Sequence, residues 1–443
     1  MQNQGIRDAR SLGTPKLLVL GLQHMFAMFG ATVLVPALTG LSVSATLLFA
    51  GLGTLFFHFV TKGKVPAFLG SSFAYLAGYA AIAPNGEAAL LPYACVGVAA
   101  SGLLYLILAA LVRGFGANRV MRFFPPVVTG PIIICIGMTL ANSAINNCTG
   151  SWDIALVAII TVVVFNIWGK GMLRIIPILL GVLVSYVYAA VTGRVDFSGV
   201  ASAAWIGLPV KMENTVFSLI GNCDVNLLVT AIIAIMPIAF ATMIEHIGDI
   251  CAISSTVGAN FIADPGLHRT LLGDGLATSI ASLFGAPANT TYGENTGVLA
   301  LTRVYDPLVI RLAAVYAIIA SFCPKFAALV SAMPTGTIGG VSLILYGMIS
   351  AIGVRNLVEN RVDLAKSRNV IVVSLIISLA LGITFSTAGA ITFHIGEFTL
   401  NFSGLAVAAI VGIVVNAILP GKDYNFQNDY EYGKTTEDHG QML

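Results

Sequence analysis

Asn289-Thr290-Thr291-Tyr292-Gly293-Glu294-Asn295-Thr296-Gly297-Val298-Leu299-Ala300-Leu301-Thr302-Arg303 is a polar stretch set among long apolar runs. It opens with hydroxyl and amide side chains, then places a carboxylate, Glu294, where the surroundings predict hydrocarbon. A bilayer tolerates irregular polar backbone only where protein buries it or a watery cavity faces it. A carboxylate at membrane depth points to a functional site. This stretch is therefore the candidate place where a ligand is held.

Working outward, the whole chain has the composition of a membrane protein. Its 443 residues are 57% hydrophobic and 9% charged, against about 25% charged in an ordinary soluble domain. The mean hydropathy is +0.91. A net charge of +2 gives no reason to expect nucleic acid as a partner. Lipid is the expected surrounding. The first apolar run has no small-residue cleavage pattern after it, so it reads as a membrane helix rather than a removed signal. No C-x-x-C pair or histidine motif with metal spacing occurs, and no nucleophile–base set stands out. An enzyme is therefore not supported, and neither a metal nor another cofactor is expected. Cys148 and Cys223 both fall in loops expected outside, where a disulfide could form; the other cysteines read as small apolar fillers.

About 20 apolar residues cross a bilayer. On that ruler fourteen crossings fit, near 17–38, 44–61, 68–82, 90–112, 125–145, 152–168 and 175–192, then 225–247, 269–286, 290–301, 308–331, 335–352, 369–388 and 403–419. Two of them, 68–82 and 290–301, are short. Keeping both puts the basic groups at Arg7, Arg10 and Lys16, Lys62 and Lys64, Arg113, Arg119 and Arg122, Lys170 and Arg174, Arg269, Arg303, Arg355 to Arg368, and Lys422 on one side. That side is the cytoplasm, with both termini in it. The short segments also echo each other: Gly70-Ser71-Ser72-Phe73-Ala74-Tyr75 and Asn289-Thr290-Thr291-Tyr292-Gly293-Glu294 start 219 positions apart. Gln23-His24 and Glu245-His246 repeat at 222. Seven crossings per half is odd, so such a repeat is inverted, a pattern of transporters with a midplane site. Chance likeness of small-residue helices is the plainer reading, but two echoes at nearly the same offset favour the repeat. The expected fold is all-α and polytopic, with an N-terminal segment 1–16, a first repeat 17–192, a connector 193–224, a second repeat 225–419 and a tail 420–443. The acidic tail, including Asp423, Asp429, Glu431, Glu437 and Asp438, reads as solvated and mobile.

Few charged residues fall within crossings: Glu245 and Asp249 in the eighth, Asp274 in the ninth, Glu294 in the tenth and Lys325 in the eleventh. Glu245 and Asp249 are four apart and share a helix face. Two close carboxylates in low dielectric cannot both stay ionised, so the cluster can carry an exchangeable proton. Asp249 could instead be a boundary charge at the end of its crossing. Asp274 could equally be a helix-start residue. Lys325 reads as snorkelling outward. Gly293, in a segment expected to be extended, would leave its N–H free for a ligand. Such donors and acceptors beside the aromatic residues Phe73, Tyr292 and Tyr346 suit a flat heterocycle with amide-like edges.

At these residues the chain resembles the nucleobase–ascorbate transporter (nucleobase:cation symporter-2) family. Its signature, Gln/Glu/Pro-Asn-x-Gly-x-x-x-x-Thr-Arg, is matched by Glu294-Asn295-Thr296-Gly297 and Thr302-Arg303. The resemblance implies fourteen segments in two inverted repeats, a core domain (segments 1–4 and 8–11) beside a gate domain (5–7 and 12–14), and short strands opening segments 3 and 10. It implies that Glu245 and Glu294 hydrogen-bond a nucleobase, Phe73 stacks on it, Gly293 assists through its backbone, and Ala31, Tyr292 and Tyr346 line the pocket. A proton is the implied coupling ion, carried among Glu245, Asp249, Glu294 and Asp274, and a homodimer in a bacterial plasma membrane is implied as well. Tyr292-Gly293-Glu294 and Gly70-Ser71-Ser72-Phe73 are similar to the branch that carries uracil. Asp249 and Asp274 depart from it toward the branch for xanthine and uric acid. The pocket residues weigh more, so uracil is expected first. A passive channel is the reading from another class; a sulfate-type anion carrier would be expected to present positive charge instead.

Overall fold

A computed structural model describes residues 5–395 and 398–422. Outside the description lie the side chains of Ile175, Glu294, His394, Ile395 and residues 398–401, and the tail with Asp423, Asp429, Glu431, Glu437 and Asp438. The apolar runs form helices whose ends are set by capping residues. Helix α1 (Thr14–Thr39) stops at Gly40, left-handed at φ 80°. Ser42 starts α2 (Val43–Val60) by accepting from Ala45 N at 3.2 Å. Strand β1 (Leu69–Ser71) and a 3-10 turn lead into the short α3 (Leu76–Ile82). Four longer helices follow: α4 (Leu91–Phe115), α5 (Pro126–Cys148), α6 (Trp152–Trp168) and α7 (Pro177–Val191).

After the connector, Asp224 caps α8 (Val225–Ile235) by accepting from Asn226 N and Leu227 N. A 3-10 turn at Met236–Ile238 precedes α9 (Ala239–Val257). Next come α10 (Leu267–Leu283), strand β2 (Asn289–Thr291) and the short α11 (Glu294–Thr302). Helices α12 (Pro307–Ser321) and α13 (Pro324–Ser331) meet at an 87° bend. The chain ends with α14 (Thr335–Glu359), α15 (Ser367–Thr384), the hairpin of β3 (Ala390–Ile395) and β4 (Phe398–Ser403), and α16 (Gly404–Ile418).

Among the described residues, seven helical stretches are long and apolar enough to cross a membrane, and the bent α12–α13 pair can make an eighth span. Large apolar side chains such as Phe59, Ile107 and Trp168 stay exposed on them, as lipid contact requires. This is a multi-pass membrane protein. Three boundaries differ from the sequence expectation. The helix of the eighth crossing runs on to Val257, past the expected bound near 247, and the helix of the eleventh is broken by its bend. Cys148 is the buried last residue of α5, not a loop residue, and both it and Cys223 are free thiols.

Helix α5 packs along α14, with α6, α7, α15 and α16 around them; α4 packs along α10, and α2 against α10 and α12. The α4–α10 contact depends on two missing side chains. A Cβ on Gly102 would lie 2.0 Å from Ser279 Oγ and 2.4 Å from the Gly275 carbonyl, so only glycine lets the backbones approach this closely. Gly102→Leu is expected to abolish the monodisperse peak in detergent chromatography. Gly114→Leu in the same helix, where a Cβ meets nothing within 4 Å, should leave it intact. Equal behaviour of the two would contradict this packing.

The N-terminal segment is strapped onto the ends of two helices. Ile6 N donates to Arg303 O and Tyr305 N to Ile6 O, both at 2.8 Å, forming a parallel bridge beside Val304. Arg7 Nη2 donates to Val257 O at 2.9 Å, satisfying a carbonyl orphaned at the end of α9. Asp306 accepts from Ala9 N and also caps α12 through Leu308 N. Nearby, Lys64 hydrogen-bonds Asp264 and holds its carboxyl below the usual carboxylate range.

Candidate functional site

The two short segments meet. Strands β1 and β2 pair antiparallel, with Leu69 opposite Thr291, Gly70 opposite Thr290 and Ser71 opposite Asn289. Ser72 N to Ala288 O (3.0 Å) and Tyr292 N to Phe68 O (2.9 Å) extend the ladder. All six paired residues are buried, so the ladder satisfies backbone that lipid could not. From the strands the chain turns into the helical segment Phe73–Ile82 on one side and α11 on the other. The positive ends of two short helices therefore flank one centre, a setting that favours negative charge.

Tyr292 is buried, and its hydroxyl donates to Ser71 O at 2.9 Å, tying one half of the chain to the other. Ser71 Oγ in turn donates to Thr32 O on α1, next to the buried Ala31. Phe73 meets the ring of Tyr346 edge-on at 6.2 Å, and both are buried. Phe73 thus opposes α14, as a stacking residue facing a second aromatic wall would.

Helix α9 supplies the carboxylates. Glu245, Gly248, Asp249, Ala252, Ser255 and Thr256 are its exposed or half-buried positions along one face, while His246, Ile247, Ile250 and Ile253 are buried. Carboxylates on a hydrocarbon-facing surface would be costly, so this face borders water. The helix continues past Asp249 to Val257, so Asp249 is not at its end. Gly293 differs from expectation, since its backbone is helical (φ −66°, ψ −30°) rather than extended. Its role is one of space: a Cβ there would lie 2.9 Å from Asp249 Oδ1. The missing side chain lets Asp249 reach the N-terminal end of α11. The side chain of Glu294 lies outside the description, and its backbone opens α11.

Asp274 is not a helix-start residue either. It is fully buried within α10, and its Oδ1 accepts from Thr291 N and Thr291 Oγ1, each at 2.9 Å. His246 Nδ1 lies 2.9 Å from the same hydroxyl and 3.4 Å from Asp274 Oδ1. The single hydroxyl proton serves Asp274, so the bond between His246 and Thr291 has the imidazole as donor. Asp274 holds β2 from behind. Lys325, expected to snorkel outward, donates to Val200 O (2.8 Å) and Ala201 O (3.3 Å) in a single helical turn of the connector.

Sequence reasoning missed Thr291, Thr32 and Asn289, whose Nδ2 donates to Phe49 O at 2.6 Å. No local pattern marks partners so far away in the chain. Gly248 was also missed, and a Cβ there would meet nothing within 4 Å. Gly248 could have been found, three residues from Glu245 on the same helix face. Among the described residues no group of three or more His, Cys, Asp or Glu could hold a metal ion.

A family model described as the Permease family matches residues 15–389. The uracil permease of Bacillus caldolyticus is 42% identical over 437 residues, covering 96% of each chain. That of Bacillus subtilis (strain 168) is 39% identical over 451 residues, covering 99% of this chain and 98% of the other. Among solved structures, the transmembrane domain of the cyanobacterial bicarbonate transporter BicA superposes with a TM-score of 0.58 at 13% identity. It covers 93% of this chain and 98% of its own. At that identity the likeness concerns the fold.

Proposed function

The chain belongs to the nucleobase–ascorbate transporter family, and from that premise we propose that it carries uracil into the cell together with a proton. Its relatives are permeases, so the chain is a transporter and not an enzyme. The observation that carries the reading is the half-buried pair Glu245 and Asp249 on one face of α9, with Asp249 against Gly293 at the end of the paired strands. A uracil ring offers N–H groups to the Glu245 and Glu294 carboxylates and a flat face to Phe73. Ala31, Tyr292 and Tyr346 form the walls, and Gly293 assists. Full-length likeness to uracil permeases supports that substrate. Asp274 does not argue for xanthine, because it is spent on Thr291 behind the strand.

The coupling proton resides on the carboxylate cluster of Glu245, Asp249 and Glu294, with Asp274 in contact through the strand. Its arrival favours the loaded form, and its loss toward the cytoplasm releases the substrate. Transport is by alternating access. Fourteen segments form two inverted repeats, 17–192 and 225–419, with a core (segments 1–4 and 8–11) moving past a gate (5–7 and 12–14). Pairing of β1 with β2, and the separate packing of α5, α6 and α7 with α14, α15 and α16, support that division. Both termini are cytoplasmic, the membrane is the bacterial plasma membrane, and the working unit is a homodimer.

The test is uptake of labelled uracil in cells lacking their own permease, with and without a protonophore, and with xanthine as competitor. Saturable uptake, abolished by the protonophore and indifferent to xanthine, is expected. Uptake blocked by xanthine would transfer the chain to the xanthine branch. Flux that neither saturates nor responds to the proton gradient would make it a channel.

A further inference from the structure

The connector between α7 and α8 carries more exposed apolar surface than water permits. Trp205, Ile206, Leu208, Met212 and Ile220 are 73, 84, 82, 70 and 80% exposed. Large apolar side chains exposed this densely within one short stretch of chain mark contact with another phase or partner. The Trp205 end of this stretch does not sit on a free loop. Gly207 N donates to Phe322 O and Lys325 N to Ala204 O, both at 3.0 Å, fastening the segment to the α12–α13 bend. The Lys325 ammonium closes the preceding helical turn through Val200 O and Ala201 O while lying 5.1 Å from the Trp205 ring centre.

The patch is continuous with the lipid-facing surface. Phe322, which accepts the bond from Gly207, is itself exposed, as is Ile319 one turn earlier in α12. On the other flank Val187 and Val191 are exposed at the end of α7, the helix that leads into the connector. Tryptophan with a neighbouring lysine is the residue pair that settles at the headgroup level, with the ring at the boundary and the cation toward phosphate.

We propose that the connector around Trp205–Ile220 is an in-plane membrane anchor. Its apolar side chains enter the headgroup–acyl boundary of the adjacent leaflet, and Trp205 with Lys325 marks its depth. The partner is phospholipid. By holding the α12–α13 bend, the anchor fixes that end of the helix pair at the bilayer surface.

The chain has three tryptophans, Trp152, Trp168 and Trp205. A Trp152→Phe/Trp168→Phe variant therefore reports on Trp205 alone. It would be reconstituted into phosphatidylcholine vesicles brominated either near the headgroup or near the chain ends. Headgroup-proximal bromines are expected to quench Trp205 several-fold more than terminal ones, and aqueous iodide to quench it little. Strong iodide quenching with no bromolipid effect would overturn the anchor, leaving the patch in water. Quenching by neither would also overturn it, since a second copy of the chain would then cover the patch. If the double variant fails to fold, the quenching difference between the parent protein and Trp205→Phe gives the same reading.

Discussion

Glu245→Ala is expected to abolish uracil uptake while the protein still purifies as a monodisperse species. Glu245 is half-buried on the water-bordering face of α9, so its removal opens no cavity in the packed interior. The lost interaction is a hydrogen bond to a charged acceptor, about 1.5–3 kcal/mol. That corresponds to binding weaker by about 10- to 150-fold. Glu245→Gln separates two roles. The amide keeps an acceptor oxygen for a uracil N–H but cannot take up a proton. It should retain part of the binding, read by calorimetry, and lose accumulation driven by the proton gradient. Normal transport by Glu245→Ala would remove this residue from the site.

Asp274→Ala should produce the largest loss of stability among the polar substitutions. Its carboxylate serves both Thr291 N and Thr291 Oγ1 in a fully buried setting. Each orphaned buried group costs about 1–3 kcal/mol, so the two together cost about 2–6 kcal/mol. The Thr291 N–H has little alternative, because its strand is held by β1 and its surroundings exclude water. A thermal-shift measurement in detergent is expected to show a clearly lowered melting temperature and, with β2 displaced, weakened uracil binding. Asp274→Asn keeps one acceptor oxygen and should lose far less stability. If Asp274 takes part in coupling, that same variant transports uracil without response to a protonophore. An unchanged melting temperature for Asp274→Ala would mean that Thr291 is not held through this carboxylate.

The membrane class and the two interrupted segments were legible because hydropathy and charge are local properties. So was the shared face of Glu245 and Asp249, which follows from helical spacing alone. The end of α9 was misread for a related reason. Those two carboxylates lower the local hydropathy, so an apolar ruler stops near 247, whereas the helix ends at Gly258, left-handed at φ 66°. The glycine after a helical run was the better signal. Asp274 near a glycine looked like a helix start, and only the tertiary structure supplies Thr291 as its partner. Gly293 was expected in an extended segment, but its helical dihedrals and the nearby Asp249 make it a site of close approach. For Asp274 and Gly293 the deciding neighbour comes from another segment, which periodicity does not encode.

The pairing of β1 with β2 also governs how the molecule can be made. Leu69 leaves the ribosome 222 residues before its partner Thr291. At about 5–20 residues per second, that interval is roughly 10–45 s. Throughout it, the backbone of β1 has no strand to bond, and an apolar bilayer offers it nothing in exchange. Ile6 waits longer still for Val304. The first half is therefore committed to the membrane before it can be completed. During synthesis, water or the insertion machinery must shelter a polar segment that the finished protein hides.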